Sequence, residues 1–171
     1  MTIDASSSAD VEIRLARPQE VPAICAFGAD VLPAHYGPLI GAAAAAELVA
    51  DWWNPEVTSR GVAAGAVWVA VDADGALVGV GELGSAGGEP VVYRLYVAPG
   101  RRGRGFGVRL LDAMIATLPE GTPRVLIEHV AANRRAGAFY QREGFVIDRI
   151  DVVDPAARDR DVVWRARPLS V

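Results

Sequence analysis

The segment from Tyr96 to Gly107 reads Tyr-Val-Ala-Pro-Gly-Arg-Arg-Gly-Arg-Gly-Phe-Gly, and no other stretch of the chain is so well equipped for chemistry. Gly103, Gly105 and Gly107 permit tight turns and let the backbone approach a ligand with no Cβ in the way. A helix predicted to begin near residue 105 adds unpaired N–H groups and the positive end of its dipole, a seat for an anion. Arg101, Arg102 and Arg104 surround that seat with positive charge. Together these features describe a diphosphate cradle. Two nucleotide-binding motifs fit less well. A phosphate loop requires Gly-Lys-Ser/Thr after its turn, and the chain contains no lysine. A dinucleotide fingerprint would find its ribose-binding acid in Glu128, yet here the glycines are spaced GxGxG, Leu110 occupies the third site, and Pro99 stands between strand and glycines.

The elements that position this segment follow from hydrophobic periodicity and turn residues. Residues 11–16 alternate as a strand, and Arg17-Pro18 opens a helix through about residue 31. A second helix, 41–53, is ended by Asn54-Pro55. Strands over 66–71 and 76–83 are joined by Asp72-Ala73-Asp74-Gly75, a hairpin signal. A glycine-rich turn over 84–88 leads to a strand over 90–97. A helix over 105–118, a strand over 125–130 and a short helix over 133–143 follow, the last stopped by Gly144. Strands over 145–152 and 161–166 complete the order β-α-α-β-β-β-α-β-α-β-β. This is an α+β class, an α/β sandwich with a mixed sheet flanked by helices. The two strand-helix-strand steps of the second half predict parallel pairing there.

Composition narrows the function. The chain has 171 residues and a net charge of −4, which argues against a nucleic-acid binder and mildly favours cationic small substrates. No apolar run reaches the roughly 18–20 residues that span a bilayer, so no membrane association is expected. Residues 1–10 lack a signal peptide's basic and apolar regions and read as a disordered tail, leaving residues 11–171 as one domain. The single cysteine, Cys25, excludes an internal disulfide and suits a reducing cytoplasm; on an apolar helix it is expected to pack in the core. With one cysteine and two separated histidines, no metal site is expected. Arginine supplies every basic side chain, and with the heavy use of Ala, Gly and Val this suggests a GC-rich bacterial genome.

Arg102-x-x-Gly105-x-Gly107, preceded by a strand and Pro99, resembles the pyrophosphate signature of the GNAT superfamily of N-acetyltransferases. The segment Asn133-Arg-Arg-Ala136-Gly-Ala-Phe139-Tyr140-Gln-Arg-Glu-Gly144-Phe145 resembles that family's N-x-x-A-x-x-F-Y-x-x-x-G-F element at every anchor. The two elements stand in the family's order with one helix and one strand between them. The resemblance implies a splayed sheet and an enzyme that uses acetyl-CoA, without metal, to acetylate a primary amine by direct transfer in a ternary complex. It implies that the backbone of Leu95, Tyr96 and Val97 holds the pantetheine arm. The backbone from Arg102 through Gly103, Arg104, Gly105, Phe106 and Gly107 to Val108 would wrap the diphosphate. Asn133 would contact the cofactor, although an asparagine there also suits a helix N-cap. Tyr140 matches the family tyrosine that gives a proton to the departing thiolate, against the alternative of simple helix packing.

Direct transfer also needs a neutral amine, a stabilised oxyanion and a base. A main-chain N–H near Tyr96 or Val97 is the expected oxyanion contact. Relatives often carry an acid on the strand before the glycine loop, but here that strand holds none, which leaves Glu128, Glu82 or a water ordered by Tyr93 for the base. His129, beside Glu128, points to the other face of its strand and reads as structural. The acceptor pocket is expected around His35-Tyr36-Gly37, Trp52-Trp53 and Glu82, the tryptophans serving as core and rim or as a cation cage. A small-molecule amine is the favoured acceptor. A protein N-terminus, or a non-catalytic acyl-CoA-sensing role, is the alternative, and the chain is either a monomer or a homodimer.

Overall fold

The computed structural model describes residues 11–169, so the tail expected over residues 1–10 lies outside the described residues. Strands β1 (Glu12–Leu15), β2 (Val67–Val71), β3 (Leu77–Ala86), β4 (Glu89–Val97), β5 (Arg124–Val130), β6 (Val146–Asp151) and β7 (Val162–Pro168) form one mixed sheet in the order β1-β2-β3-β4-β5-β7-β6. Helices α1 (Val21–Ile40), α2 (Ala42–Trp52) and α3 (Pro55–Ala63) precede β2, α4 (Phe106–Ile115) links β4 to β5, and α5 (Arg134–Arg142) follows β5.

Alternation along β2 shows how the sheet takes helices on both faces. Val67, Val69 and Val71 pack in a core with Ile24, Phe27, Leu32 and Tyr36 of α1. Ala70 faces the other way, against Phe106 and Leu110 of α4. Leu111 and Met114 of α4 and Tyr140 of α5 share a third cluster with Val92, Val125, Ile127 and Phe145.

Three sequence expectations change. The first helix does not stop near residue 31; α1 continues through Pro33 and Pro38. Each proline removes one helical hydrogen bond, but Leu32 and Tyr36 are buried on either side of Pro33 and hold the turns in place. The Asn54-Pro55 pair does more than end α2. The Asn54 side chain accepts the Val57 N–H at 2.9 Å and Pro55 occupies the first turn, so the pair also starts α3, a helix not expected from the sequence. Finally, only the β4-α4-β5 step yields a parallel pair. After α5, β7 inserts between β5 and β6 and pairs antiparallel with both.

The decisive feature for the site is the break between β4 and β5. These strands of nine and seven residues pair only at Val91↔Leu126 and Val92↔Ile127. The β3–β4 register slips at the same level, with Leu83 opposite Val92 but Glu82 opposite Arg94, so Tyr93 is the extra residue of a bulge. A bulge bends its strand and sharpens its twist. Beyond Tyr93, β4 turns away from β5 and the sheet splays open.

Candidate active site

The splay opens into two adjoining cavities. The first, of about 390 Å³, lies between the diverging ends of β4 and β5 and beneath the start of α4. Leu95, Tyr96 and Val97 wall it from β4, while Arg102, Gly103, Gly105, Phe106, Gly107 and Val108 wall it from the loop and the first turn of α4. Glu128, Asn133 and Tyr140 complete it from the other side. Of the cofactor residues expected from sequence, Arg104 alone stands outside this wall. The second cavity, of about 400 Å³, is walled by Trp52, Trp53, Glu82 and Arg94 among others. Tyr36, Tyr93, Tyr96, Glu128 and His129 belong to both. His35 lines only the first and Gly37 neither, so of the predicted acceptor group Tyr36, the tryptophans and Glu82 are the ones that converge.

The loop is built for an anion. Gly103 and Gly105 have φ of +76° and +79°, values that side chains other than glycine rarely adopt. Gly105 is the N-cap of α4 and no side chain caps the helix, so the first-turn N–H groups have no acceptor within the helix. Arg102 Nε donates to the Val97 carbonyl at 3.0 Å and ties the loop to the strand end. Arg101 is drawn away to Asp72, at 2.5 Å. Arg135 of α5, not singled out in the sequence, is a further cation on the cavity wall and acts with burial to lower the Arg102 pKa. Glycine backbone, helix terminus and facing arginines fit a diphosphate group.

The edge of β4 facing the gap is fixed by strand alternation. The Ala98 N–H donates to the Val78 carbonyl on β3 at 2.9 Å. In an antiparallel pair, successive residues aim their backbone groups to opposite sides. Tyr96 therefore bonds towards β3, whereas Leu95 and Val97 present theirs to the gap. Of the two residues expected to offer an oxyanion N–H, this orientation selects Val97.

Tyr140 is buried among aromatic rings, 5.4 Å from Phe139 and 5.9 Å from Phe145 and His129. Burial, with Tyr36 nearby, pushes its phenol pKa well above the ordinary value, so it remains protonated at neutral pH. The hydroxyls of Tyr36 and Tyr96 lie 3.1 Å apart, and burial likewise raises Tyr96 far above the usual range. This tyrosine cluster was not apparent in the sequence, because Tyr36 and Tyr96 are 60 residues apart.

The two carboxylates differ. Glu82 accepts from Nε of Arg94 at 2.9 Å; burial raises its pKa and the arginine opposes that rise. Arg94 is itself buried, lies 4.5 Å over the Trp53 ring and donates through Nη2 to the Trp52 carbonyl. Glu128 has no ion-pair partner within 4 Å among the described residues; partial burial and Asp151 raise its pKa, with Arg149 opposing.

Neither histidine is free. Asn133 accepts the Ala136 N–H at 3.2 Å as helix N-cap, and its Nδ2 donates to His35 Nε2 at 3.0 Å. Burial, helped by Arg102 and Arg135, lowers the His35 pKa. His129 Nε2 accepts from Arg165 Nε at 3.0 Å and Nδ1 bonds the Val130 carbonyl at 2.9 Å, so the ring is neutral, with burial as the main cause of its lowered pKa. Cys25 packs at the core edge, 3.6 Å from the Thr58 hydroxyl, and lines neither cavity. No cluster of metal-ligating side chains occurs among the described residues, and none of the described helices is long and apolar enough to cross a membrane.

Residues 63–147 match the family model described as Acetyltransferase (GNAT) domain. No curated protein sequence matches the chain. Among solved structures, the PaiA N-acetyltransferase of Thermoplasma acidophilum, in complex with coenzyme A, superposes with a TM-score of 0.78 at 17% identity, over 93% of this chain and 99% of that one. Ard1 of Thermoplasma volcanium gives 0.68 at 20% identity, over 95% and 100%. Nourseothricin acetyltransferase gives 0.55 at 26%, over 61% and 65%. The family match spans β2 to the start of β6, the stretch that supplies most of the first cavity's wall, and the fold is shared across nearly the whole chain. The protein thus belongs to the GNAT acetyltransferases, whose reaction is acetyl transfer from acetyl-CoA.

Proposed function

We propose that the protein is an N-acetyltransferase that moves the acetyl group of acetyl-CoA directly to the primary amine of a small molecule, with both substrates bound at once. The observation that carries this reading is the meeting of two cavities of similar size at one wall, which includes Tyr96, Glu128 and Tyr36. One has the diphosphate cradle at its far end; the other has a volume of about 400 Å³, which suits a small ligand. Cys25 lines neither cavity, so a relay through a cysteine has no support.

When bound, acetyl-CoA supplies an activated thioester open to attack by a neutral amine. The chain's own residues do the rest. The gap-facing backbone of Leu95 and Val97 holds the pantetheine arm, and the Val97 N–H is placed to stabilise charge on an acyl oxygen. The loop from Arg102 to Val108 binds the diphosphate, with Arg102 and Arg135 adding charge. Glu128, unpaired and present in both cavities, takes the amine proton directly or through water. Tyr140 keeps its proton at neutral pH and gives it to the leaving thiolate. Asn133, on the wall of the first cavity, keeps a second amide N–H for the cofactor beyond its bond to His35, whereas His129 positions other groups, since both its ring nitrogens are bonded within the protein. Residues 11–171 are read as one domain, and the lysine-free sequence with its single cysteine supports a bacterial, cytoplasmic setting.

The test is thiol release from acetyl-CoA across a panel of primary amines. Amine-dependent release that falls at least 10-fold in Glu128→Gln supports direct transfer with this base; release independent of any amine contradicts it.

A further inference from the structure

We propose that the acceptor is an apolar primary monoamine, aryl or alkyl, that carries no carboxylate and seats its body against Trp52. This rests on the assignment of the second cavity as the acceptor site. The wall of that cavity carries three charged groups: Glu82, Glu128 and Arg94. Arg94 is spent within the protein, on Glu82 through Nε, on the Trp52 carbonyl through Nη2 and on the Trp53 face. His129 is neutral, because Arg165 occupies its Nε2. One negative charge, that of Glu128, has no ion-pair partner within 4 Å among the described residues, and it stands at the shared wall where the amine must meet the thioester.

A single ammonium ion answers that charge. A carboxylate on the same molecule would face Glu82 and Glu128 with no free cation to receive it. The unpartnered Nη1 of Arg94 does not serve, because almost none of its surface is accessible. Leu48, Trp52, Trp53 and Val57 form an apolar part of the remaining wall, and the three tyrosines beside them have their hydroxyls bonded within the protein. A second ammonium from a polyamine would find no unpaired carboxylate there, because Glu82 is already paired with Arg94. Trp52 leaves 58% of its surface exposed at this wall, a large apolar side chain with no protein group covering it. Trp53 beneath it is core.

The experiment compares 2-phenylethylamine with phenylalanine, phenylalaninamide and spermidine as acceptors for the full chain, read by thiol release from acetyl-CoA. Binding of the same amines is read separately, by tryptophan fluorescence with coenzyme A present. The proposal expects kcat/KM for 2-phenylethylamine at least 10-fold above phenylalanine and above spermidine. It expects Trp52→Ala to raise KM for 2-phenylethylamine several-fold while coenzyme A affinity, by calorimetry, stays unchanged. Equal or better use of phenylalanine or spermidine overturns it, as does phenylethylamine that neither reacts nor perturbs the tryptophans while coenzyme A binds normally. Phenylalaninamide matching phenylethylamine supports the exclusion of the carboxylate specifically. Failure of coenzyme A itself to bind is a different result and strikes the acetyltransferase reading.

Discussion

Nε of Arg94 stands 2.9 Å from Oε2 of Glu82, and the two side chains are only 5% and 17% exposed. This pair distinguishes the two candidate carboxylates. Glu82 is committed to a buried cation, whereas Glu128 has no ion-pair partner within 4 Å among the described residues. Removing Glu82 leaves Arg94 buried without its charge partner, a change that typically costs about 3–5 kcal/mol. Glu82→Ala is therefore expected to lower unfolding stability in urea by about 3 kcal/mol. Glu128→Gln should leave the urea midpoint nearly unchanged and lower kcat/KM on the order of 100-fold. Equal loss of stability in both variants contradicts the division of roles.

The pH profile follows from the same geometry. A base works only when ionised, and partial burial raises the Glu128 pKa. Activity should fall as pH drops through that raised value, at a higher pH than an ordinary glutamate would give. In Glu128→Gln this acid limb should vanish. At the alkaline side, burial keeps the Tyr140 phenol protonated beyond the usual tyrosine range, so its loss of function should lie above that range.

A second pH effect concerns stability. Glu20 accepts from both Nη atoms of Arg14, at 2.8 and 2.9 Å, and from the Arg17 N–H at 2.7 Å. The hydrogen bond to Arg14 is the main reason that its pKa lies below the ordinary value. A carboxyl whose folded pKa is depressed stabilises the fold above its unfolded pKa and loses that contribution as pH falls through the folded value. Glu20→Gln should thus destabilise by about 1–2 kcal/mol at neutral pH. The difference from the parent should shrink below the normal carboxylate range, as thermal unfolding across pH would show.

The cradle makes a separable prediction. A Cβ at Gly105 meets nothing within 4 Å, yet the φ of +79° is costly for alanine, by about 1–2 kcal/mol. Gly105→Ala should therefore relax the loop more than the core. Coenzyme A affinity is expected to fall at least 10-fold by calorimetry, with thermal stability reduced by no more than a few degrees.

The cradle was legible in sequence because its chemistry is local: glycines, arginines and a helix start lie within a dozen residues. The placing of Asn133 and Tyr140 beside the cradle followed from the resemblance of one short segment, 133–145, to the family element. What escaped reading depends on distant contacts. The bulge at Tyr93 that splays the sheet appears only when Glu82 is seen opposite Arg94, across a hairpin. Tyr36 reaches Tyr96 because buried neighbours carry α1 past Pro33, where local propensity predicted an end. Pairing of Arg165 with His129, and insertion of β7 between β5 and β6, depend on strand order that hydrophobic patterning does not specify. The start of α3 did leave a local signal, an N-cap asparagine before a first-turn proline, which reads equally as a helix stop.

In the proposed reaction the protein binds acetyl-CoA and passes its acetyl group to an amine with Tyr140 as the acid. Calorimetric titration with acetyl-CoA, followed by thiol release with 2-phenylethylamine and other primary amines, tests it most directly when Tyr140→Phe is run beside the parent. The account predicts that both proteins bind acetyl-CoA with similar affinity, and that amine-dependent thiol release falls on the order of 100-fold or more in the variant. Undiminished release in Tyr140→Phe would contradict the acid role, and no binding of acetyl-CoA to the parent would contradict the account as a whole.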